Sequence, residues 1–238
     1  MEPSSEMPLE EQQVWVPAGP VTLEGNLTVP VGAVGIVLFA HGSGSSRHSP
    51  RNRFVAKALQ NAGLATLLID LLTADEESAD MGDAHLRFDI GLLAERLIAT
   101  TDWLTREDRT AELRIGYFGA STGAGAALVA AAERPALVGA VVSRGGRPDL
   151  AGQALSAVRA PTLLIVGGRD YPVIDMNRAA LQLLGTRVKE LVIVPGATHL
   201  FEEPGALEEV ARLASAWLTR HLNRLAGAPV SAEERSRT

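Results

Sequence analysis

The sequence predicts an α/β fold: a doubly wound, mostly parallel sheet with helices on both faces. Three observations point there. Short apolar runs alternate with longer amphipathic segments from about Val14 onward. Several of those runs are apolar throughout, as strands covered on both faces are. Glycine-, serine- and charge-rich loops separate them, so crossover helices must connect parallel strands. The length of 238 residues, 46% hydrophobic and 21% charged, suits one such domain.

The elements follow in order. Residues 1–11 are acidic and polar and are expected to form a flexible N-terminal segment ahead of a domain spanning 12–225. Val21 to Val29 alternates apolar and polar residues, as a half-exposed edge strand does, and stops at Pro30. Gly35 to Ala40 reads as a buried strand that ends in the loop His41-Gly42-Ser43-Gly44-Ser45-Ser46. Asn52 to Asn61 has helical spacing and stops at Gly63, and Leu64 to Ile69 reads as the next strand. An acidic loop is expected over Thr73–Asp83. A long helix follows over Ala84–Arg106, with Leu86, Ile90, Leu93, Leu97 and Ile98 on one face.

Leu113–Phe118 is a strand, and Thr122–Glu133 a helix stopped by Pro135. Val138–Ser143 and Thr162–Val166 are strands, with a short helix over Leu150–Val158 between them. Met176–Leu184 is helix, Glu190–Val194 strand, Leu207–Leu225 a closing helix, and 226–238 a polar, flexible tail.

Composition excludes several classes. There is no cysteine, so disulfides, a thiolate nucleophile, Cys-based zinc sites and iron–sulfur ligation are out. Twenty-two basic against 28 acidic side chains give a net charge of −6, and nothing supplies the cationic footprint that nucleic acid requires. No apolar run approaches the roughly 20 residues that span a bilayer. A cytoplasmic protein, monomeric or a small homo-oligomer, with no membrane partner is expected.

The chemistry concentrates in loops at the carboxyl ends of strands, where open α/β sheets carry their sites. Gly119-Ala120-Ser121-Thr122-Gly123 follows a strand and opens a helix, the setting that a G-x-S-x-G nucleophile turn requires. Small flanking residues permit a turn tight enough to lift the Ser121 hydroxyl above the sheet. The alternatives are a plain small-residue packing turn and a phosphate-binding loop. Leu128 stands where a dinucleotide fingerprint needs its third glycine, and the loop has no lysine.

A serine needs a base, and the base an orienting acid, and the pattern predicts both further down the chain, the acid first and then a histidine. Asp170 lies 49 residues after Ser121, past the strand Thr162–Val166, and His199 lies 29 residues further, past Glu190–Val194. Asp170 could instead cap the following helix, with Asp175 as substitute acid. His41, His85 and His221 are less suited to the base. The backbone N–H groups of Ser43 and Thr122 are candidates for an oxyanion hole.

Together, Gly119–Gly123, Asp170, His199 and the His41-Gly42 loop resemble the α/β-hydrolase superfamily over roughly residues 12–224. The short chain, the serine-rich loop and Gly167-Gly168-Arg169-Asp170 look most like the dienelactone-hydrolase-like esterases, although dienelactone hydrolases proper carry cysteine where this chain has Ser121. The resemblance implies a serine hydrolase of small carboxylic esters or lactones that needs no cofactor or metal.

Fewer than twenty residues separate Ser143 from Thr162, too few for a large lid, so a shallow, open site is expected. Arg144, Tyr171 and Phe201 are candidate substrate-binding residues: Arg144 as a bidentate grip on a carboxylate, the aromatics as pocket walls. Arg147, Arg47 and His48 are further loop candidates. The acidic stretch Asp75, Glu76, Glu77, Asp80, Asp83 with His85 lacks metal-ligand spacing and reads as a solvated loop. Three rival functions remain: an acyltransferase or perhydrolase using the same triad, a catalytically silent binding protein, and a small-ligand phosphate or nucleotide binder, against which the missing lysine and third glycine count.

Overall fold

The computed structural model describes residues 10–82 and 84–223. Strands run over Glu11–Ala18 (β1), Val21–Thr28 (β2), Ile36–Ala40 (β3), Ala65–Ile69 (β4), Ile115–Ala120 (β5), Val138–Arg144 (β6), Thr162–Gly167 (β7) and Lys189–Val194 (β8). Helices cover Pro50–Asn61 (α1), Ala74–Asp80 (α2), Ile90–Leu104 (α3), Thr122–Glu133 (α4), Tyr171–Leu183 (α5) and Ala206–Leu222 (α6). Turns of 3-10 helix lie at Leu86–Phe88 and Pro148–Ala157. The strands form one sheet in the order β1-β2-β4-β3-β5-β6-β7-β8. β1 with β2 and β2 with β4 are antiparallel, and every other neighbouring pair is parallel.

Side chains alternate across the sheet, so each central strand feeds two cores. Leu38, Leu67 and Tyr117 join Leu93 and Leu97 of α3 and Ala126 and Ala130 of α4 on one face. Phe39, Leu68 and Phe118 join Val55 and Leu59 of α1 and Leu218 of α6 on the other. This double burial is why β3 is apolar throughout and β4 is apolar but for buried Thr66, whose hydroxyl accepts from Gln60. The Tyr117 hydroxyl, fully buried, shares a 2.5 Å hydrogen bond with Thr101 Oγ1, and burial pushes its pKa well up. Among the described residues no helix is long and apolar enough to cross a membrane.

Several expectations need correction. β2 is not an edge strand, because β1 pairs along its outer side from Glu11 to Ala18. The expected acidic loop contains α2, whose Thr73 and Glu76 form a reciprocal capping box: Glu76 N–H donates to Thr73 Oγ1 and Thr73 N–H to Glu76 Oε2. The single long helix breaks at Asp89, whose carboxylate accepts from Leu92 N–H and starts α3 afresh, leaving Leu86 in the 3-10 turn.

Gly152, at φ +51°, interrupts the segment expected as a short helix, and the stretch winds as 3-10. α5 begins at Tyr171 because Pro172 sits in its first turn, where a missing N–H costs nothing. α6 ends at Leu222, and the expected tail 226–238 and most of the N-terminal segment lie outside the described residues.

Because the box satisfies two otherwise orphaned donors, Thr73→Ala is expected to lower stability by about 1 kcal/mol. Urea unfolding measures this, with exposed Glu10→Ala as a control expected within about 0.5 kcal/mol.

Candidate active site

The parallel strands β3 to β8 bring the loops at their carboxyl ends to one edge of the sheet. The chain steps outward from β3 to β4 and returns on the other side as β5, so the order reverses between β3 and β5. A crevice opens at such a reversal. The His41–Ser46 loop and the turn at Ser121 flank it.

Ser121 sits at φ +49°, ψ −123°, a strained conformation for a residue with a side chain. Its surroundings hold it there. Ser121 N–H donates to Arg144 O at 3.4 Å, and Ser121 O accepts from Ala124 N–H at 3.1 Å and Arg147 N–H at 3.0 Å. A Cβ on Gly119 would lie 2.5 Å from Ala124 Cα, and one on Gly123 would overlap the carbonyl oxygens of Ala40 and His41. Only glycines let α4 start this close to β3 and β5. The Ser121 side chain makes no capping bond, although it stands at the start of α4.

The loops after β7 and β8 are laced together. Arg169 N–H donates to Ala197 O at 2.9 Å, and a Cβ on Gly167 would come within 2.6 Å of that same oxygen. This lacing sets Asp170 against His199, whose Nδ1 lies 2.6 Å from Asp170 Oδ2. Asp170 begins α5 without capping it, so its carboxylate is spent on the imidazole. The His199 ring lies beside Gly145, where a Cβ would be 3.5 Å from Cε1 and Nδ1. Gly145 directly follows Arg144, whose carbonyl takes the Ser121 N–H, so the ring and the serine flank the same turn.

The substitute Asp175 points outward on α5 and pairs with Arg178. Glu203 accepts the Thr198 N–H at 3.0 Å, and that bond holds its carboxyl below the usual range.

On the other side, a Cβ on Gly42 would lie 3.0 Å from Ser121 Cβ, so this loop is the serine's immediate neighbour. His41, only 7% exposed, anchors it. Its Nδ1 donates to Gly42 O at 3.0 Å, and its Nε2 accepts from Leu71 N–H at 3.0 Å. That pattern requires the neutral ring with its hydrogen on Nδ1. Arg47 pairs with Asp70 and with Glu24, tying the far end of the loop to β2 and β4. Ser43 N–H donates to Thr122 Oγ1 at 3.0 Å.

A cavity of about 490 Å³ opens beside Ser43. Its walls are Ser43–Ser46, apolar Leu71, Leu72, Met81 and Leu93, and the polar Glu77, Asp80 and Arg87. That volume lies within the range of small-molecule sites. The acidic stretch supplies one wall. Its Glu76 pairs with Arg96 at 2.8 Å, and Asp80 accepts from Arg87 Nε at 2.5 Å and Leu86 N–H at 2.6 Å. Burial raises the Asp80 pKa, but the Arg87 side chain and the two backbone N–H groups outweigh it and hold the carboxyl below the usual carboxylate range.

The three candidate binding side chains lie elsewhere. Arg144 is 6% exposed, donates to Asn52 Oδ1 at 3.3 Å and stacks over Phe201. Burial, then nearby Arg51, pushes its pKa down to about 10. Phe201 is buried beneath the His199 loop, and Tyr171 is exposed at the start of α5. Neither aromatic, nor Arg144, is among the residues that wall the cavity. Arg147 is held by Asp149. The wall residues that sequence reasoning missed carried one signal, the spacing Thr73-x-x-Glu76 that marks a helix start.

The model of the dienelactone hydrolase family matches residues 23–225. The chain belongs to that family. A dienelactone hydrolase from Anabaena variabilis is 67% identical, covers 91% of this chain and 100% of its own, and superposes with a TM-score of 0.89. An α/β serine hydrolase without a lid from Xanthomonas campestris shares the fold at 21% identity and a TM-score of 0.71, covering 94% and 99% of the two chains. Two curated sequences from Mycobacterium tuberculosis strains, each named a putative phosphoribosyl transferase, are 59% identical over 219 residues. Those cover 92% of this chain but 48% of theirs, so it spans about half the length of these relatives. Family and fold support a hydrolase.

Because the native state favours ionised Asp80, its contribution is full above the ordinary carboxyl pKa and is lost as pH falls through the depressed value. Stability measured by urea unfolding should therefore fall less steeply below pH 3.8 in Asp80→Asn than in the parent.

Proposed function

We propose that this chain is a serine hydrolase that cleaves small carboxylic esters or lactones through Ser121, His199 and Asp170. The observation that carries the reading is the 2.6 Å contact between His199 Nδ1 and Asp170 Oδ2, made beside a serine held at positive φ. An acid that caps nothing and a serine that caps nothing, both at helix starts, are spent structure unless they serve chemistry.

His199 Nε2 takes the proton from Ser121 Oγ as the oxygen attacks the ester carbonyl. Asp170 fixes the hydrogen on Nδ1 and stabilises the imidazolium. The backbone N–H of Thr122 meets the oxyanion, a donor contributing about 3 kcal/mol to the transition state, while the Ser43 N–H, the other candidate donor, is bonded to Thr122 Oγ1 in the resting site. The imidazolium then protonates the leaving alcohol, and water activated by His199 releases the acid from Ser121. The scheme uses no metal or organic cofactor. One part of the ester extends into the cavity lined by Leu71, Leu72, Met81 and Leu93, which favours an apolar group there.

The phosphoribosyl transfer named for the Mycobacterium tuberculosis relatives is not carried over. The chain spans about half of them, and the region it shares is the part that the hydrolase family model matches.

The test is p-nitrophenyl acetate hydrolysis at neutral pH. The parent is expected to turn over. Asp170→Asn should lower kcat by about 10⁴-fold, because the imidazole tautomer is then wrong. A parent that is folded and inactive, or an Asp170→Asn variant as fast as the parent, contradicts the reading.

A further inference from the structure

The Ser43 N–H is already engaged in the resting site. It donates to Thr122 Oγ1 at 3.0 Å, joining the loop after β3 to the first residue of α4. A hydroxyl offers two lone pairs and one hydrogen. The bond from Ser43 uses a lone pair, and among the described residues no acceptor takes the Thr122 hydroxyl hydrogen.

Other buried threonines behave differently. Thr100, Thr101, Thr110 and Thr162 each turn the hydroxyl hydrogen to a backbone carbonyl. In a helix that carbonyl belongs to the residue four positions earlier. For Thr122 that residue is Phe118, inside strand β5, so the local acceptor is missing. Thr122 is 4% exposed and its neighbour is Ser121. Its hydrogen therefore has no acceptor among the described residues, and the hydroxyl belongs to the residue next to Ser121, where the proposed reaction develops negative charge.

We propose that the Thr122 hydroxyl is itself an oxyanion donor, and that Ser43 acts through it. The Ser43 amide donates to Thr122 Oγ1, which polarises the O–H and strengthens it as a donor. The Thr122 hydroxyl and the Thr122 N–H then grip the same substrate oxygen from one residue. Thr122 is thus a catalytic residue and Ser43 a positioning residue. The bond is made before substrate arrives, so the donor is aimed without reorganisation in the transition state. This inference rests on Ser121 being the nucleophile.

The experiment compares the parent with Thr122→Val, Thr122→Ser and Ser121→Ala on p-nitrophenyl acetate. It also measures inhibition by an alkylboronic acid, which mimics the tetrahedral state, and by acetate, which does not. Thr122→Val keeps the shape and removes the donor. It is expected to lose about 10²- to 10³-fold in kcat with KM within about three-fold. Boronate affinity should fall in parallel and acetate affinity should hold. Thr122→Ser should stay within about ten-fold of the parent.

A Thr122→Val variant as fast as the parent, or faster, overturns the inference. So does a loss shared equally by Thr122→Ser, or one that leaves boronate affinity unchanged, since either marks a packing role. Should Thr122→Val fail to fold, Thr122→Ala against Thr122→Ser decides by the same criteria. An inactive parent, or activity surviving Ser121→Ala, removes the nucleophile reading and this inference with it. Activity abolished by Ser121→Ala but undiminished in Thr122→Val removes this inference alone.

Discussion

The close approach of α4 to the ends of β3 and β5 is the constraint on which the rest of the site depends. A strand must end, turn through a strained serine and enter a helix within five residues, with neighbouring backbone pressed against both sides. Gly119 and Gly123 make that possible because a Cβ at either position would run into Ala124 or into the carbonyls of Ala40 and His41. The strain at Ser121 is held by three backbone hydrogen bonds to Arg144, Ala124 and Arg147. What the turn achieves is exposure: the side chain leaves the sheet where three other loops converge.

Those loops are fixed by different means, each suited to its position. The β3 loop is pinned through His41 to Leu71 and through Arg47 to Asp70 and Glu24. The β7 and β8 loops hold each other by backbone contact, and buried Phe201 anchors the second of them in the core under Arg144. A cation buried without a carboxylate is costly. Here its stem, its ring contact and Asn52 hold it as a strut beneath the histidine loop. The cavity owes its outer wall to α2 and the 3-10 turn after it, joined by the Asp80–Arg87 pair. A segment outside the sheet thus bounds the cavity beside Ser43.

Much of this was legible from the residues. β3, β4 and β5 read as strands because double burial makes them largely apolar, and the glycines around Ser121 have a steric meaning that spacing exposes. The order Ser121, Asp170, His199 followed from where the strands end. β1 was harder, since only Val14, Val16 and Ala18 are buried in it and Trp15 faces solvent, so its periodicity was short. The wall formed by α2 was hidden by composition: five acids and a histidine resemble a solvated loop until the Thr73–Glu76 pair is seen as a cap. The surroundings of Arg144 are something that spacing does not carry. A strand-end arginine can face the crevice or the core, and only packing against Phe201 and Asn52 decides.

The most direct measurement of the central claim is mass spectrometry of the protein quenched in acid during turnover of p-nitrophenyl acetate. The account predicts an added acetyl group on the peptide that carries Ser121, formed in the parent and absent from Ser121→Ala. Steady turnover with the label on another residue, or equal labelling of Ser121→Ala, would contradict it.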